Sequence, residues 1–479
     1  MNELQLLSLL PFMVLAAASV VVILLIAFKA GHTVIQVTGF IMMCLVVLAM
    51  WYVKDTLPML VPPLFIVDGQ AALFTGLIIC CVLVVGLLSY IYFEEREENP
   101  KEYYILLFLA TLGGAILTIS QHFISLFIGL ELLSVSLYGL IAYLRTRNHA
   151  VEAGMKYLVL AAMSSAFLLF GMALIYMETG SMTFAGLSAK MAGQTGTPVF
   201  LLGMGMMIVA IGFKMALVPF HLWVADVYQG APSPVTAFIA TSSKIGTFAV
   251  LLRFAHSVDL QQYPLMITVF SVLAIASMVS GNILALRQNN LKRLLAYSSI
   301  AHFGYLLVAF LPGTEAGTEA TIFYLVAYAV TLLAAFGVIV LLSNGEDEAD
   351  QLEGYKGLIW RRPVLGAVLT IALFSLAGIP LTAGFLAKFM VLSAGVERSL
   401  WPLLIVLVLT SVIGLYYYLR VISTLFARPE PAIQTPGPRH PFFYFSTYAA
   451  LIIMVGALCW LGVFPGLILQ GIRSFLLLH

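Results

Sequence analysis

One stretch of the chain places ionisable side chains inside an apolar run. Residues 212–235 read GFKMALVPFHLWVADVYQGAPSPV, with Lys214 and His221 on either side of Pro219. Another lysine, Lys244, follows within the next apolar run. An ammonium and an imidazole beside a helix-breaking proline are costly at membrane depth and indicate a functional role. The pattern predicts an ion or proton site.

A second lysine-bearing segment has the same character. Lys388 lies in SLAGIPLTAGFLAKF, where Gly378 and Pro380 are expected to interrupt the helix about two turns earlier. Paired interrupted helices are typical of transporters built from internal repeats, in which the breaks mark the midplane site. The pattern of breaks, rather than residue identity between the two halves, indicates such a repeat here.

Glu131 is the one carboxylate well inside an apolar run, and there it needs a basic partner or a proton. A structural ion pair with Lys156 is one alternative to a functional role. Because Lys156 lies near the start of its helix, it also has the option of extending to the membrane interface. For Lys244, the structural alternative is a hydrogen bond to Ser242 or Ser243.

Two histidines lie in or beside apolar runs. His221 follows Lys214 by seven residues, or two helical turns if the proline between them keeps the helical phase. His302 lies about ten residues into its helix, and for both histidines a hydrogen bond to a neighbouring helix is the structural alternative. Three nearby hydroxyls would either hold a water chain or join helices: those of Ser298, Ser299 and Tyr305.

The composition identifies the environment in which these residues act. Of 479 residues, 62% are hydrophobic and 9% are charged, whereas roughly a quarter are charged in soluble proteins. With a mean hydropathy of +1.05, the chain is a polytopic membrane protein. Its net charge of +1 and the lack of a basic stripe argue against a nucleic-acid partner.

The sequence contains no recognisable motif for binding a cofactor. The four cysteines lie in apolar runs without metal-ligand spacing, which favours small core residues. No glycine-rich loop for a dinucleotide or a phosphate is present. Redox chemistry and ATP hydrolysis are therefore expected in other proteins.

Runs of roughly 20 apolar residues predict the spanning helices. The first run follows Glu3 rather than a basic segment and lacks a small-residue cleavage site, so we expect a retained helix. About fourteen helices are predicted, near residues 5–28, 34–53, 70–93, 103–120, 123–144, 153–177, 198–221, 233–255, 264–286, 292–311, 319–343, 363–391, 401–427 and 442–473.

Basic residues collect in cytoplasmic loops, which sets the expected orientation. With the N-terminus outside, fourteen of them fall in cytoplasmic loops: Lys29, Arg96, Lys101, Arg145, Arg147, Arg287, Lys292, Arg293, Lys356, Arg361, Arg362, Arg420, Arg428 and Arg439. Five fall on the opposite side: Lys54, Lys190, Arg253, Arg398 and Arg473. The bias predicts that both termini are periplasmic.

Five segments carry a family resemblance. GFKMALVPFHLWVADVYQGAPSPV, SSKIG, LKRLLAYSSIAHFGYLLVA, SLAGIPLTAGFLAKF and GLYYYLRV resemble the antiporter-like membrane subunits of bacterial respiratory complex I, an NADH:quinone oxidoreductase. The similarity extends over essentially the whole chain. The segment DVYQGAP and Lys388 favour one member type over its siblings M and L, of which M typically has a glutamate at the position of Lys388.

The resemblance implies an all-α polytopic membrane protein of about fourteen transmembrane helices, with two inverted five-helix bundles that each contain a broken helix. The implied domains are three N-terminal helices in residues 1–100, a first bundle in 101–258 with its break near Pro219, a second bundle in 264–428 with its break near Pro380, and a C-terminal helix in 440–479.

The resemblance also implies that this chain translocates protons, driven by NADH-to-quinone electron transfer in partner subunits of the bacterial inner membrane. The implied proton-translocating residues are Glu131, Lys156, Lys214, His221, Lys244 and Lys388, with His302, Lys292 and Tyr305 as further relay residues. FMN, iron–sulfur clusters and quinone are expected in partner subunits. The expected partners are the antiporter-like M and L types, the small K, J and A types, and the lipid bilayer.

Two other functions remain open from the sequence. A subunit of a multi-subunit cation/proton antiporter would share the broken helices and the lysines. A structural membrane scaffold would use the same charges as ion pairs, although several deep lysines against one Glu131 make full pairing difficult.

Overall fold

The N-terminal part of the chain forms three long helices and a small β-hairpin. The computed structural model describes residues 2–94, 96, 100–191, 197–343, 345, 348–428 and 441–476. Pro58, Pro62 and Pro63 exclude a helix from the segment after the second span, and a hairpin forms there instead, with Met59 opposite Val67. The elements are α1 (Glu3–Ser8), α2 (Leu10–Ala27), α3 (His32–Val53), a 3₁₀ turn (Lys54–Thr56), β1 (Met59–Val61), β2 (Phe65–Val67) and α4 (Gly69–Glu94).

The first lysine-bearing break lies in the next group of helices. Residues 216–223 form no helix, and beyond them a π turn joins two helices into one continuous span, Ser233–Val258. The elements are α5 (Lys101–Ile119), α6 (Phe123–Ile141), α7 (Asn148–Thr179), α8 (Phe184–Met191), α9 (Pro198–Met215), α10 (Val224–Gly230), α11 (Ser233–Phe238), the π turn (Ile239–Ser243) and α12 (Lys244–Val258).

The remaining helices contain the second break, at residues 378–382, and a third at Phe464 and Pro465. The elements are a 3₁₀ turn (Leu260–Gln262), α13 (Pro264–Leu286), α14 (Leu291–Phe310), α15 (Glu315–Leu342), a 3₁₀ turn (Leu352–Tyr355), α16 (Leu358–Arg361), α17 (Pro363–Ala377), α18 (Ala383–Glu397), α19 (Trp401–Leu425), α20 (Pro441–Val463) and α21 (Gly466–Leu476).

Helix α15 lies at the centre of the packing. It contacts α4, α11, α14, α17, α18, α20 and α21. Its most apolar stretch is 83% buried, and that of the Ser233–Val258 span is fully buried, whereas α20 and the N-terminal helices present most of their surface outward. The interior of the molecule is therefore the contact zone of α11, the π turn, α14 and α15, and the lipid side is formed by the outer helices.

The predicted fold class is confirmed. Among the described residues, thirteen helices are long and apolar enough to cross a membrane, and the broken pair α17 and α18 occupies the remaining predicted run, 363–391. Two predicted runs differ in detail, because α9 ends at Met215 and the last run divides into α20 and α21. The inverted relation of the two bundles stays a prediction.

Candidate functional site

Lys214 lies at the first break, in the last turn of α9. Ala216 adopts a left-handed conformation with φ of 63° and ends the helix. The Lys214 side chain is buried and donates a hydrogen bond to Ser134 Oγ on α6. Its Nζ lies 5.5 Å from the ring centre of Tyr157, close enough for a cation–π contact. The ammonium is thus held by a neutral hydroxyl and an aromatic face.

Glu131 lies one turn before Ser134 on the same face of α6. Its half-buried carboxylate accepts a hydrogen bond from Ser165 of α7. Since Ser134 bonds Lys214, the carboxylate and the ammonium occupy adjacent turns of one helix face. Glu131 bonds Ser165 and Lys214 bonds Ser134, so no direct ion pair joins them in the described structure.

The predicted pair between Glu131 and Lys156 does not form. Lys156 Nζ lies 2.8 Å from Glu152 Oε1 and 2.8 Å from Asp226 Oδ2, and its side chain is 44% exposed. Lys156 begins the third turn of α7 and extends toward the end of the molecule where Asp226 follows the break. The alternative in which Lys156 extends to the interface is the one that the structure supports.

Asp226 forms ion pairs with two basic residues, and the sequence did not single it out as a site residue. Burial raises the pKa of this carboxyl, but hydrogen bonds from Lys156 and Arg293 outweigh burial and hold the pKa below its usual value. Arg293 Nη1 lies 2.8 Å from Asp226 Oδ1. Asp226 therefore ties α7 to the start of α14.

His221 lies in the non-helical segment between α9 and α10. The side chain is half-buried, and among the described residues its Nδ1 has no hydrogen-bond partner. The break removes the helical spacing that would stack His221 above Lys214. Trp223 Nε1 donates to the Phe213 carbonyl at 3.0 Å and folds the segment back onto the end of α9.

Lys244 begins α12 directly after the π turn. It is 1% exposed and donates a hydrogen bond to Ser299 Oγ of α14. Its Nζ lies 4.4 Å from the centre of the Phe303 ring. The structural alternative, a hydrogen bond to Ser242 or Ser243, is absent from the described contacts, and Lys244 bonds α14 instead.

His302 lies between two tyrosine hydroxyls. Its Nδ1 is 2.6 Å from Tyr324 Oη and its Nε2 is 3.1 Å from Tyr418 Oη. Tyr418 also shares a hydrogen bond with Ser298, and neither tyrosine was predicted from the sequence. Ser298, His302 and Tyr305 follow at i, i+4 and i+7 and form one polar face of α14.

Lys388 lies in α18, beyond the second break. Its Nζ donates to the carbonyls of Leu376 at 3.0 Å and Ala377 at 3.1 Å. These carbonyls end α17, where the helix dipole favours a cation. The centre of the Tyr305 ring lies 5.3 Å from Lys388 Nζ, and the Tyr305 hydroxyl accepts a hydrogen bond from Asn282. The broken helix thus provides the cation site for its own lysine.

Lys292 lies in the first turn of α14 and is fully buried. Its Nζ donates to the Ala231 carbonyl at 2.7 Å and lies 3.5 Å from Glu348 Oε2. Glu348 also accepts hydrogen bonds from Tyr92 and Ser233. Glu348 was not among the predicted site residues, because nothing in the sequence shows that this loop folds inward.

A further buried ion pair joins Arg253 to Asp68. The Nη1–Oδ2 and Nη2–Oδ1 distances are 2.6 and 2.8 Å, and the side chains are 7% and 3% exposed. Arg253 was predicted as a loop cation on the outer side. Its partner lies 185 residues away along the chain, so the sequence carries no signal for the pair.

Comparisons with known proteins show the family of this chain. The sequence family described as NADH:quinone oxidoreductase/Mrp antiporter, TM, matches residues 120–414. The chain belongs to this family. It is 45% identical to NADH-quinone oxidoreductase subunit N of Ectopseudomonas mendocina (strain ymp), over 98% of this chain and 96% of that protein. The predicted resemblance to the antiporter-like subunits, including the member type indicated by DVYQGAP and Lys388, is confirmed.

Several solved structures share the fold. A chain of respiratory complex I from Thermus thermophilus with bound aureothin superposes with a TM-score of 0.82 at 34% identity, covering 96% of this chain and 98% of that one. A chain of the membrane-bound sulfane sulfur reductase, an archaeal respiratory complex, gives 0.86 at 25% identity, covering 98% and 96%. A chain of the Mrp complex from Dietzia sp. DQ12-45-1b gives 0.83 at 21% identity, covering 98% and 97%, which shows a common fold alone.

Proposed function

We propose that this chain is a proton-translocating subunit in the membrane arm of an NADH:quinone oxidoreductase. Membership of the family and 45% identity to a subunit N support this function. The observation that carries it is the row of buried lysines, Lys214, Lys244 and Lys388, each held by neutral hydroxyl or carbonyl oxygens. The chain contributes to catalysis as part of the oxidoreductase complex.

The energy that one pumping step requires is comparable to the electrostatic interaction between two nearby charges. Moving one charge against roughly 150 mV costs about 3.5 kcal/mol. Two unit charges about 4 Å apart interact by roughly 4 kcal/mol at the effective dielectric constant near a protein surface. A change in the position of Glu131 relative to Lys214 is therefore large enough to load or eject one proton. Because buried lysines repel one another, loading one favours unloading the next.

The relay continues from Lys244 through α14. Ser299 bonds Lys244, and on the same helix His302 joins Tyr324 and Tyr418. Tyr305 then contacts Lys388, the terminal site in this proposal. Lys214 and Lys244 share no hydrogen-bond partner among the described residues, so transfer between them requires water. Lys292, at the far end of α14, would supply protons from the opposite face, and His221 would do so at the first break.

The partners follow from the family. The antiporter-like M and L types and the small K, J and A types are the neighbours of this chain in the membrane arm. FMN, iron–sulfur clusters and quinone belong to partner subunits in this proposal. The expected membrane is the bacterial inner membrane, with both termini periplasmic and two inverted bundles in residues 101–258 and 264–428.

The test is a charge-neutral replacement of the proposed pumping residues. Lys214→Met and Glu131→Gln in the assembled complex are expected to lower coupled quinone reductase activity and proton pumping. Lys54→Met, which removes an exposed lysine beside the hairpin, is the matched control and should keep both rates. NADH oxidation by a soluble electron acceptor verifies assembly. Wild-type rates in both assembled test variants would contradict the proposal.

The two other functions predict different outcomes. A scaffold predicts that Lys214→Met lowers the amount of assembled complex without changing pumping per complex. An antiporter subunit predicts that the chain co-purifies without flavin and iron–sulfur subunits and restores growth of an antiporter-deficient strain under sodium stress. Identification of the co-purifying subunits by mass separates the antiporter alternative from complex I.

A further inference from the structure

A cavity of 670 Å³ with several charged side chains in its lining opens on the face that carries the hairpin. Two ion pairs line it, one between Asp68 and Arg253 and the other between Glu319 and Arg473, whose Nε–Oε2 distance is 3.0 Å. Thr318 of α15 also lines the cavity, and its Oγ1 lies 3.3 Å from His256 Nε2. The cavity therefore has charged walls and reaches the first turn of the central helix.

From this cavity, a stripe of hydroxyls continues along α15 into the interior. Its members follow at steps of three or four residues, which places them on one side of the helix. They are Thr318, Thr321, Tyr324, Tyr328 and Thr331. From Thr318 to Tyr324 the stripe covers about 9 Å of helix axis, so each residue lies about one turn from the next.

Thr321 is the informative member of the stripe. Buried threonines in spanning helices usually bond a carbonyl of their own helix, as Thr331 does to Ala327 at 2.7 Å. The Thr321 hydroxyl is fully buried and has no hydrogen-bond partner among the described residues. An unsatisfied buried hydroxyl is costly, which argues against a purely structural role.

The stripe ends at the central histidine. Tyr324 Oη lies 2.6 Å from His302 Nδ1, and the Tyr328 ring centre lies 5.5 Å from that of His302. Between these side chains, Thr331 and Ser375 is a void of about 10 Å³, close to the volume that one water molecule needs. The Tyr328 hydroxyl, which has no hydrogen-bond partner among the described residues, is available to that water.

We propose that α15 carries a branch of the proton path, from His302 through Tyr324 and Thr321 to Thr318 and the cavity. This inference rests on the proposed function, because it takes protons from the same relay. Each hydroxyl passes one proton on as it accepts another, with a water beside Thr321 completing the chain, so no hydroxyl remains ionised. Charged groups in the cavity then exchange the proton with bulk water on the hairpin face.

The experiment removes the Thr321 hydroxyl without changing the side-chain volume. Thr321→Val in the assembled complex is expected to lower the proton-pumping rate about threefold or more, at unchanged NADH oxidation by a soluble acceptor. Thr321→Ser keeps the hydroxyl and should restore pumping. The matched control is Thr370→Val in α17, which also removes a buried hydroxyl, one that bonds the Gly366 carbonyl at 2.7 Å.

Three outcomes would overturn the branch. The first is wild-type pumping in Thr321→Val. The second is an equal loss in Thr321→Val and Thr370→Val, and the third is an equal loss in Thr321→Val and Thr321→Ser. Lys388→Met distinguishes the branch from the proposed function. If Lys388→Met pumps poorly while Thr321→Val pumps normally, only the branch fails, whereas normal pumping in Lys388→Met contradicts the relay itself.

Discussion

The buried cations of this chain differ in the groups that they contact, and these contacts indicate different roles. Arg253 has a carboxylate partner, Asp68, in a two-pronged ion pair that also reaches the Thr118 carbonyl. Lys244 instead bonds the hydroxyl of Ser299, and Lys388 bonds backbone carbonyls. A carboxylate partner fixes the charge in place, whereas neutral oxygens leave the proton exchangeable. We therefore assign Arg253 to stability and Lys214, Lys244 and Lys388 to transfer.

Asp68→Asn should destabilise the chain strongly. The change leaves the Arg253 charge buried without a counter-charge, and breaking a buried pair in this way costs about 3 kcal/mol or more. The measurement is the thermal unfolding midpoint of the purified complex. Glu152→Gln is the matched control, because it breaks an exposed pair with Lys156 that contributes at most about 1 kcal/mol. Equal midpoints for the two variants would contradict this assignment.

At the residue scale, the sequence predicted the burial of Lys214, Lys244 and Lys388 but not what they touch, and it missed the burial of Arg253 and Lys292. Lys214, Lys244 and Lys388 stand out because apolar runs surround them. Their partners Ser134 and Ser299 lie 80 and 55 residues away along the chain, and a lone serine in a helix carries no distinguishing signal. The Lys156 pair was predicted wrongly for the same reason, because the direction in which a long side chain extends depends on tertiary contacts.

At the scale of elements, the breaks in the helices create the cation sites. Gly378 adopts φ of +81°, which ends α17 and turns its last carbonyls toward Lys388. A Cβ added at Gly378 would lie 3.0 Å from Lys388 Cδ and 3.4 Å from its Nζ. The break and the position of the lysine are therefore coupled through one glycine.

Gly378→Ala should lower proton pumping, because alanine in a left-handed conformation costs roughly 1–2 kcal/mol and its methyl group displaces Lys388. Gly456→Ala in α20 is the matched control, since nothing lies within 4 Å of the added methyl there. Proton pumping per assembled complex is the measurement. A loss in both variants, or in neither, would show that the Gly378 turn does not position the lysine.

The loop after α15 depends on Glu348. Burial raises the pKa of this carboxyl, but the charges of Lys292 and Arg96 and the hydrogen bonds from Ser233 and Tyr92 outweigh burial and hold the pKa below 4.5. A lowered pKa gives stability that is complete above the ordinary pKa and is lost as the pH falls through the folded-state value. The ionised Glu348 therefore stabilises the loop at neutral pH, and this stabilisation is lost in acid.

Glu348→Gln should lower the unfolding midpoint of the complex at pH 7, and the difference from wild type should shrink as the pH falls below about 4.5, the ordinary pKa of a glutamate. Thermal unfolding across this pH range measures the effect. Glu353→Gln, an exposed acid in the same loop region, is the control and should show no such difference. A constant difference at all pH values would exclude Glu348 titration as the cause.

Hydropathy predicted the elements well, because a spanning helix must satisfy its own backbone in lipid. The π turn before Lys244 and the β-hairpin escaped prediction. The π turn does not interrupt the apolar run in the sequence, and each strand of the hairpin is only three residues long. The end of α9 at Met215 was also missed, since Ala216 gives no sign of a left-handed conformation.

At the scale of the whole molecule, both ends of the described chain lie on one face. Gln5 Nε2 bonds the Leu60 carbonyl of the hairpin at 3.2 Å, and Arg473 of α21 pairs with Glu319 beside the same cavity. Thr314 joins Glu397 on this face at 3.1 Å. An even number of crossings therefore connects the two ends, as expected if both termini lie on one side of the membrane.

The orientation of this face is the remaining prediction, and the basic residues determine it. The face that carries the hairpin holds few of them, so we expect it in the periplasm. Arg398→Cys and Arg428→Cys each replace an exposed arginine, one at either end of α19. A membrane-impermeant maleimide should label the first in intact cells and the second only after permeabilisation, with the unsubstituted protein as background. The opposite labelling pattern would invert the orientation and place the proposed α15 outlet in the cytoplasm.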